Sequence, residues 1–149
     1  MLLPLLNESS YIWVANFFKT VMVQQITNGI KISIKTRYNG VVHRNQNSYN
    51  AFSYYITIEN ESNDIVQLLE RTWEISDALN DKEFIQGEGV VGQKPILEPK
   101  EHYAYKSNCF LKASTGSMKG SFKMINKRTN RFFEVIVPTF QLTTIPLLN

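Results

Sequence analysis

Apolar and polar residues alternate along much of this chain with a period of two. Ile30, Ile32 and Ile34 alternate with Lys31, Ser33 and Lys35, which predicts a strand with one buried and one wet face. Phe52, Tyr54, Ile56 and Ile58 alternate with Ser53, Tyr55, Thr57 and Glu59 in the same way. Leu69, Arg71, Trp73 and Ile75 fall on one face of a further strand, opposite Glu70, Thr72, Glu74 and Ser76. A turn at Asp77–Asp81 leads into a short strand near Lys82–Gln86. Strands are predicted again at His102–Lys106 and at Met118–Ile125, where Met118, Gly120, Phe122 and Met124 oppose Lys119, Ser121 and Lys123. After an Asn126–Asn130 turn, Phe133, Val135 and Val137 alternate with Phe132, Glu134 and Ile136 until Pro138 stops the strand. The polar stretch 39–50 and the Gly- and Pro-punctuated stretch 87–99 read as loops. No window carries a helical period.

Seven or eight short strands with frequent turns predict an all-β domain. The expected architecture is an antiparallel β-sandwich of the immunoglobulin/fibronectin type III kind, with a barrel as the alternative. A buried Trp73 on a central strand suits such a core. The paired cysteines of immunoglobulin domains are missing, which favours the fibronectin-like variant.

Residues 1–21 differ from the rest: Met1-Leu-Leu-Pro-Leu-Leu6 is apolar but broken by Pro4, and no basic segment precedes it as in a signal peptide. They are expected to be an N-terminal extension, or a misassigned start upstream of Met22, leaving 22–149 as the domain.

The length of 149 residues suits one domain, and 43% hydrophobic residues suffice for a core. No apolar run approaches the ~20 residues of a membrane-spanning helix, so membrane insertion is not expected. One Cys and two His exclude a zinc cluster or an internal disulfide and agree with a cytoplasmic location. The net charge is +3, but the basic excess lies wholly in residues 100–149. Lys106, Lys112, Lys119, Lys123, Lys127, Arg128 and Arg131 could line one surface near Tyr103 and Tyr105. Such lysines commonly form a solvated strand face, and nucleic acid is not the expected partner.

Gly87-Glu-Gly-Val-Val-Gly92 matches G-x-G-x-x-G but runs into Gln93-Lys94-Pro95, where a Rossmann helix would have to start. A glycine loop can still form a nest of amides for an anion, with Lys94 beside it. Its plain structural role is to supply positive φ or close packing. Arg71 has the parity of a core residue. Either its stem lies along the core edge or a bulge turns it outward, and a share in an anion site with the glycine loop is a third option. The anion-binding candidates are thus Gly87, Gly89, Gly92, Lys94 and Arg71. His102 and Cys109 lie seven residues apart, about 23 Å along one strand, too far for a nucleophile–base pair. Asp64, Asp77 and Asp81 have no metal-ligand spacing, and turn aspartates usually cap amides. No catalytic residue, metal site or cofactor is assigned.

Several blocks together carry a family likeness. Val66-Gln-Leu-Leu-Glu-Arg-Thr-Trp-Glu-Ile-Ser-Asp77 is followed by Gly87-Glu-Gly-Val-Val-Gly-Gln-Lys-Pro-Ile-Leu-Glu-Pro99. Tyr105-Lys-Ser-Asn-Cys109, Thr115-Gly-Ser-Met-Lys-Gly-Ser-Phe-Lys-Met124 and Phe133-Glu-Val-Ile-Val-Pro-Thr-Phe-Gln-Leu142 complete the series. In this order and spacing they closely resemble the ApaG domain family over about 24–143, and the chain departs from the family chiefly at 1–21. The resemblance implies a fibronectin type III-like sandwich without a defined catalytic activity. It further implies a genetic link to Co2+/Mg2+ efflux or resistance and a protein-interaction role with an unidentified protein partner. The family's glycine signature maps onto Gly87, Gly89 and Gly92 and implies, as the alternative, phosphate, pyrophosphate or nucleotide binding.

Overall fold

The computed structural model describes the backbone of residues 10–15 and 20–145. The strands are Ser10–Ala15 (β1), Thr20–Thr27 (β2), Ile30–Arg44 (β3), Asn47–Asn60 (β4) and Val66–Asp77 (β5), then Glu83–Glu88 (β6), Ile96–Leu97 (β7), His102–Leu111 (β8), Thr115–Asn126 (β9) and Phe132–Thr143 (β10). They form two antiparallel sheets. The first has the order β1-β2-β3-β4-β8; the second runs β10-β9-β5-β6, with β7 pairing β5. The barrel alternative is not adopted: the sheets stack as a sandwich. Among the described residues there is no helix. The expectation of an extension at 1–21 falls mostly on residues outside the described ones, except that β1 pairs along β2.

The alternating residues meet between the sheets. Ile30, Ile32, Ile34, Phe52, Ile56 and Ile58 are fully or almost fully buried on the first sheet; Leu68, Phe122, Met124 and Val135 are buried on the second. Each such side chain contributes about 1.5–3 kcal/mol of burial. Trp73 sits at the centre with edge-on contacts to Tyr54, Phe122 and Phe140, at ring-centroid distances of 5.6, 6.1 and 6.0 Å. One flank of the sandwich is tied by the Ile136 amide donating to Thr27 Oγ1 at 3.3 Å and Asn28 Nδ2 donating to the Glu134 carbonyl at 2.9 Å.

Several boundaries differ from the sequence reading. Residues 39–50 are not a loop but the far end of the β3–β4 hairpin, closed by Asn45 and Gln46 with φ of 50° and 66°. Positive φ at both central residues is the mirror-image turn that matches strand twist. Pro138 does not stop the last strand: β10 bulges between Val137 and Phe140 and continues to Thr143. A bulge can seat a proline because the extra residue leaves the ladder. A second bulge makes Leu69 the extra residue between Leu68 and Glu70, so Leu68, not Leu69, enters the core. The stretch 87–99 is not all loop, for it holds the end of β6 and all of β7.

Candidate functional site

Arg71 lies on the Trp73 face of β5, past the Leu69 bulge, and its side chain stays in the sandwich. Its stem follows the core edge, and Nη1 donates to the carbonyls of Glu88 and Gly89 at 2.9 and 3.0 Å. Gly87 is its cross-strand neighbour, and a Cβ there would meet the guanidinium at 2.9 Å. Gly87 is therefore the space that Arg71 fills. On the facing sheet, Tyr105 of β8 and Tyr54 of β4 feel the charge of Arg71. Burial pushes both phenols up. The Tyr105 hydroxyl is buried without a hydrogen-bond partner among the described residues.

The glycine loop itself is a tight turn. Val90 and Gln93 exchange both backbone hydrogen bonds, at 2.8 and 2.9 Å, around Val91 and Gly92 with φ of 47° and 75°. The Gly89 amide donates to the Leu69 carbonyl at 2.8 Å, across the bulge. Gly89 has φ of 63°, and a Cβ there would strike the Gln93 carbonyl. Amides of Gly89, Val90 and Gln93 are thus spent on the fold. Lys94 pairs with Glu88 at 3.5 Å and packs beside Gly89. The structure brings Arg71, Gly87, Gly89 and Lys94 together, while Gly92 stands at the tip of the turn. What the arrangement offers chemically is hydrogen-bond donors, from the remaining guanidinium N–H groups and Tyr105, rather than a proton shuttle or nucleophile.

Cys109 is buried on β8 and its thiol is pushed up to about 12 by burial, which leaves it inert at neutral pH. Asp77 caps the Lys112 and Ala113 amides at 2.7 and 3.1 Å. Among the described residues no group of three or more His, Cys, Asp or Glu could hold a metal ion. The basic residues of the C-terminal third do not share a surface. Lys106 lies on the first sheet, Lys119 and Lys123 on the second, and Lys127 and Arg128 in the turn after β9. Lys119 pairs with Glu74 at 3.7 Å, Lys123 lies 4.6 Å over the Phe132 ring, and Arg128 binds Asp64 at 2.7 Å.

The family model of the ApaG domain matches residues 41–126. The chain belongs to the ApaG domain family. Protein ApaG of Anaeromyxobacter sp. (strain K) is 37% identical over 86% of this chain and all of the relative. Protein ApaG of Brucella canis is 35% identical over 81% of this chain and 92% of its own length. Among solved structures, a structural-genomics target matches with a TM-score of 0.75 at 34% identity, over 81% of this chain and 91% of that one. The ApaA protein of Bordetella pertussis matches with 0.68 at 30%, over 76% and 92%. The ApaG sandwich here therefore has known structural counterparts, and its glycine loop and Arg71 lie within the matched region.

Proposed function

We propose that this ApaG domain is a non-enzymatic binding module that engages a partner protein in the cytoplasm, with a role linked to Co2+/Mg2+ efflux or resistance. The observation that supports it is a groove of about 620 Å³ that runs across the second sheet to β2 of the first, lined by Phe84, Ile136 and Pro138 together with Glu74, Lys119 and Gln25. Phe84 is 70% exposed there, a large apolar side chain that the fold itself does not use. Exposed apolar area next to an ion pair (Glu74 with Lys119) is typical of interaction surfaces. The reading places any role in cation export in that partner; among the described residues no helix is long and apolar enough to cross a membrane.

The test is capture on the immobilised full chain from extracts of its source, with Phe84→Glu alongside. A protein held by the wild type and lost with Phe84→Glu supports the reading, as does cobalt sensitivity of a deletion strain rescued by the wild type alone. Equal retention by both forms, or rescue by both, overturns the placing of the partner on this groove; no retained protein together with no cobalt sensitivity overturns the binding module itself.

A second reading, a small-anion receptor, is favoured by the buried, unpartnered Tyr105 hydroxyl on the sheet that faces Arg71. Gly89 substitutions are a poor probe of it because they break the turn. Tyr105→Phe is the cleaner one: it removes an unsatisfied hydroxyl and stabilises the fold by about 1 kcal/mol. A thermal shift with pyrophosphate that this variant abolishes supports the receptor; no shift in the wild type rejects it.

A further inference from the structure

The outer face of the first sheet carries a charge pattern that the fold does not need. Cross-strand register places Lys35, Tyr55 and Lys106 in one row across β3, β4 and β8, and Arg37, Ser53 and Asn108 in the next. Phe110 follows on β8, with the Arg44 guanidinium 4.3 Å above its ring. Four cations, Lys35, Arg37, Arg44 and Lys106, thus share one face of the sheet, with a bulge of β3 between Arg37 and Arg44, and among the described residues none has a carboxylate within salt-bridge distance. The other end of the same face is built differently: Lys31 pairs with Glu59 at 3.6 Å and with Glu61 at 3.7 Å. Protection against edge pairing accounts for only part of the pattern: Lys106 lies on the edge strand β8, and Arg37 and Arg44 lie beyond the β2–β3 ladder, which ends at Met22 and Lys35, but Lys35 itself is paired on both sides.

The centre of the face adds donors. Asn39 Nδ2 donates to Ser53 Oγ at 2.6 Å, and Ser53 Oγ donates to Asn108 Oδ1 at 3.1 Å. The Asn108 amide nitrogen therefore remains to donate outward. Lys35 and Arg37 are about 7 Å apart along the strand, and Lys35 and Lys106 about 10 Å apart across two strand spacings. Acidic side chains at alternate positions of an extended segment repeat at the same ~7 Å.

We propose that this face docks an acidic, extended segment of a partner protein, its carboxylates meeting Lys35, Arg37, Lys106 and the edge of the Arg44 guanidinium. Single-stranded nucleic acid fits less well, because stacking needs open aromatic faces. Here the Tyr55 and Phe110 rings are overlaid by the domain's own cations, Lys106 at 5.8 Å and Arg44 at 4.3 Å. The proposal rests on the reading of the domain as a protein-binding module but uses a different face from the Phe84 groove.

The test is fluorescence anisotropy with the purified full chain and a labelled (Glu-Thr)6 peptide, against (Lys-Thr)6 and dT12. The acidic peptide is expected to bind with a salt-sensitive affinity that the double variant Lys35→Glu/Lys106→Glu lowers ~10-fold or more. Lys127→Glu/Arg131→Glu, an equal charge change at the turn after β9, is expected to alter it less than about twofold. Equal losses in both variants, no binding of (Glu-Thr)6, or tighter binding of dT12 would each overturn the proposal. Melting curves of both variants exclude unfolding as the cause. If (Glu-Thr)6 binds as described while no partner is lost with Phe84→Glu, the groove reading fails and this one stands; the reverse pattern separates them in the other direction.

Discussion

Asp64 shows how strongly two neighbours can set the chemistry of one carboxylate. Arg128 and Asn126 hydrogen-bond to it, and its carboxyl is lowered from 3.8 to about 2. A depressed pKa means that the stabilisation is complete above about pH 4 and is lost as pH falls through about 2. In Arg128→Met the carboxyl should return toward 3.8, and the acid-side slope of stability between these pH values should flatten. Carbon-detected NMR titration of the Asp64 carboxyl reads the first, and denaturation at a series of pH values the second. Cys109 gives a prediction of the opposite sign. With its thiol at about 12, it should resist a thiol-reactive disulfide reagent at pH 8 in the native protein and react fully once unfolded. Fast labelling of the native protein would show a more open β8 than the structure has. Neither shift was legible in the sequence, since Arg128 lies 64 positions from Asp64 and only the fold makes them neighbours.

At the scale of elements, strands with one buried face were readable and strands exposed on both faces were not. The interior of β3 and β4 alternates because Ile30, Ile32, Ile34, Ile56 and Ile58 must avoid water. Their shared far end, residues 41–50, has no buried residue on either face, so its polar sequence looked like a loop. Bulges hid for another reason: one extra residue at Leu69 or around Pro138 is a register event between strands and leaves no local pattern. Asn60 is the element-scale residue the sequence reading missed. Fully buried at the end of β4, it donates to the carbonyls of Asp64 and Leu97 at 2.8 and 3.0 Å and accepts from Ser62 at 2.6 Å. Asn60→Ala should cost about 1–3 kcal/mol by leaving the buried Leu97 carbonyl without its donor, while the Asp64 carbonyl keeps a bond from Ser62 Oγ, measurable by urea denaturation. A loss below about 0.5 kcal/mol would show that the loop re-satisfies itself.

For the whole molecule, the core is a joint product of both sheets. Phe122 lies under Trp73 and is wholly buried, so Phe122→Ala should cost about 3–5 kcal/mol through lost burial and the cavity left behind. Equilibrium denaturation checks the figure. The sequence by itself determined the all-β class, the inward-facing residues of most strands and, through its ordered motifs, the ApaG family. These are properties of local alternation and of blocks read in order. Only the tertiary structure decided that Arg71 holds the glycine-loop carbonyls opposite Tyr105, and that the basic residues of the C-terminal third lie apart. It alone set Lys35, Arg37, Arg44 and Lys106 on one face. The physical reason is that a sheet assembles its surface across strands, at a spacing of about 5 Å between residues that can be far apart in the chain. Side-chain parity is written along the sequence, whereas register and sheet order are fixed by packing between segments.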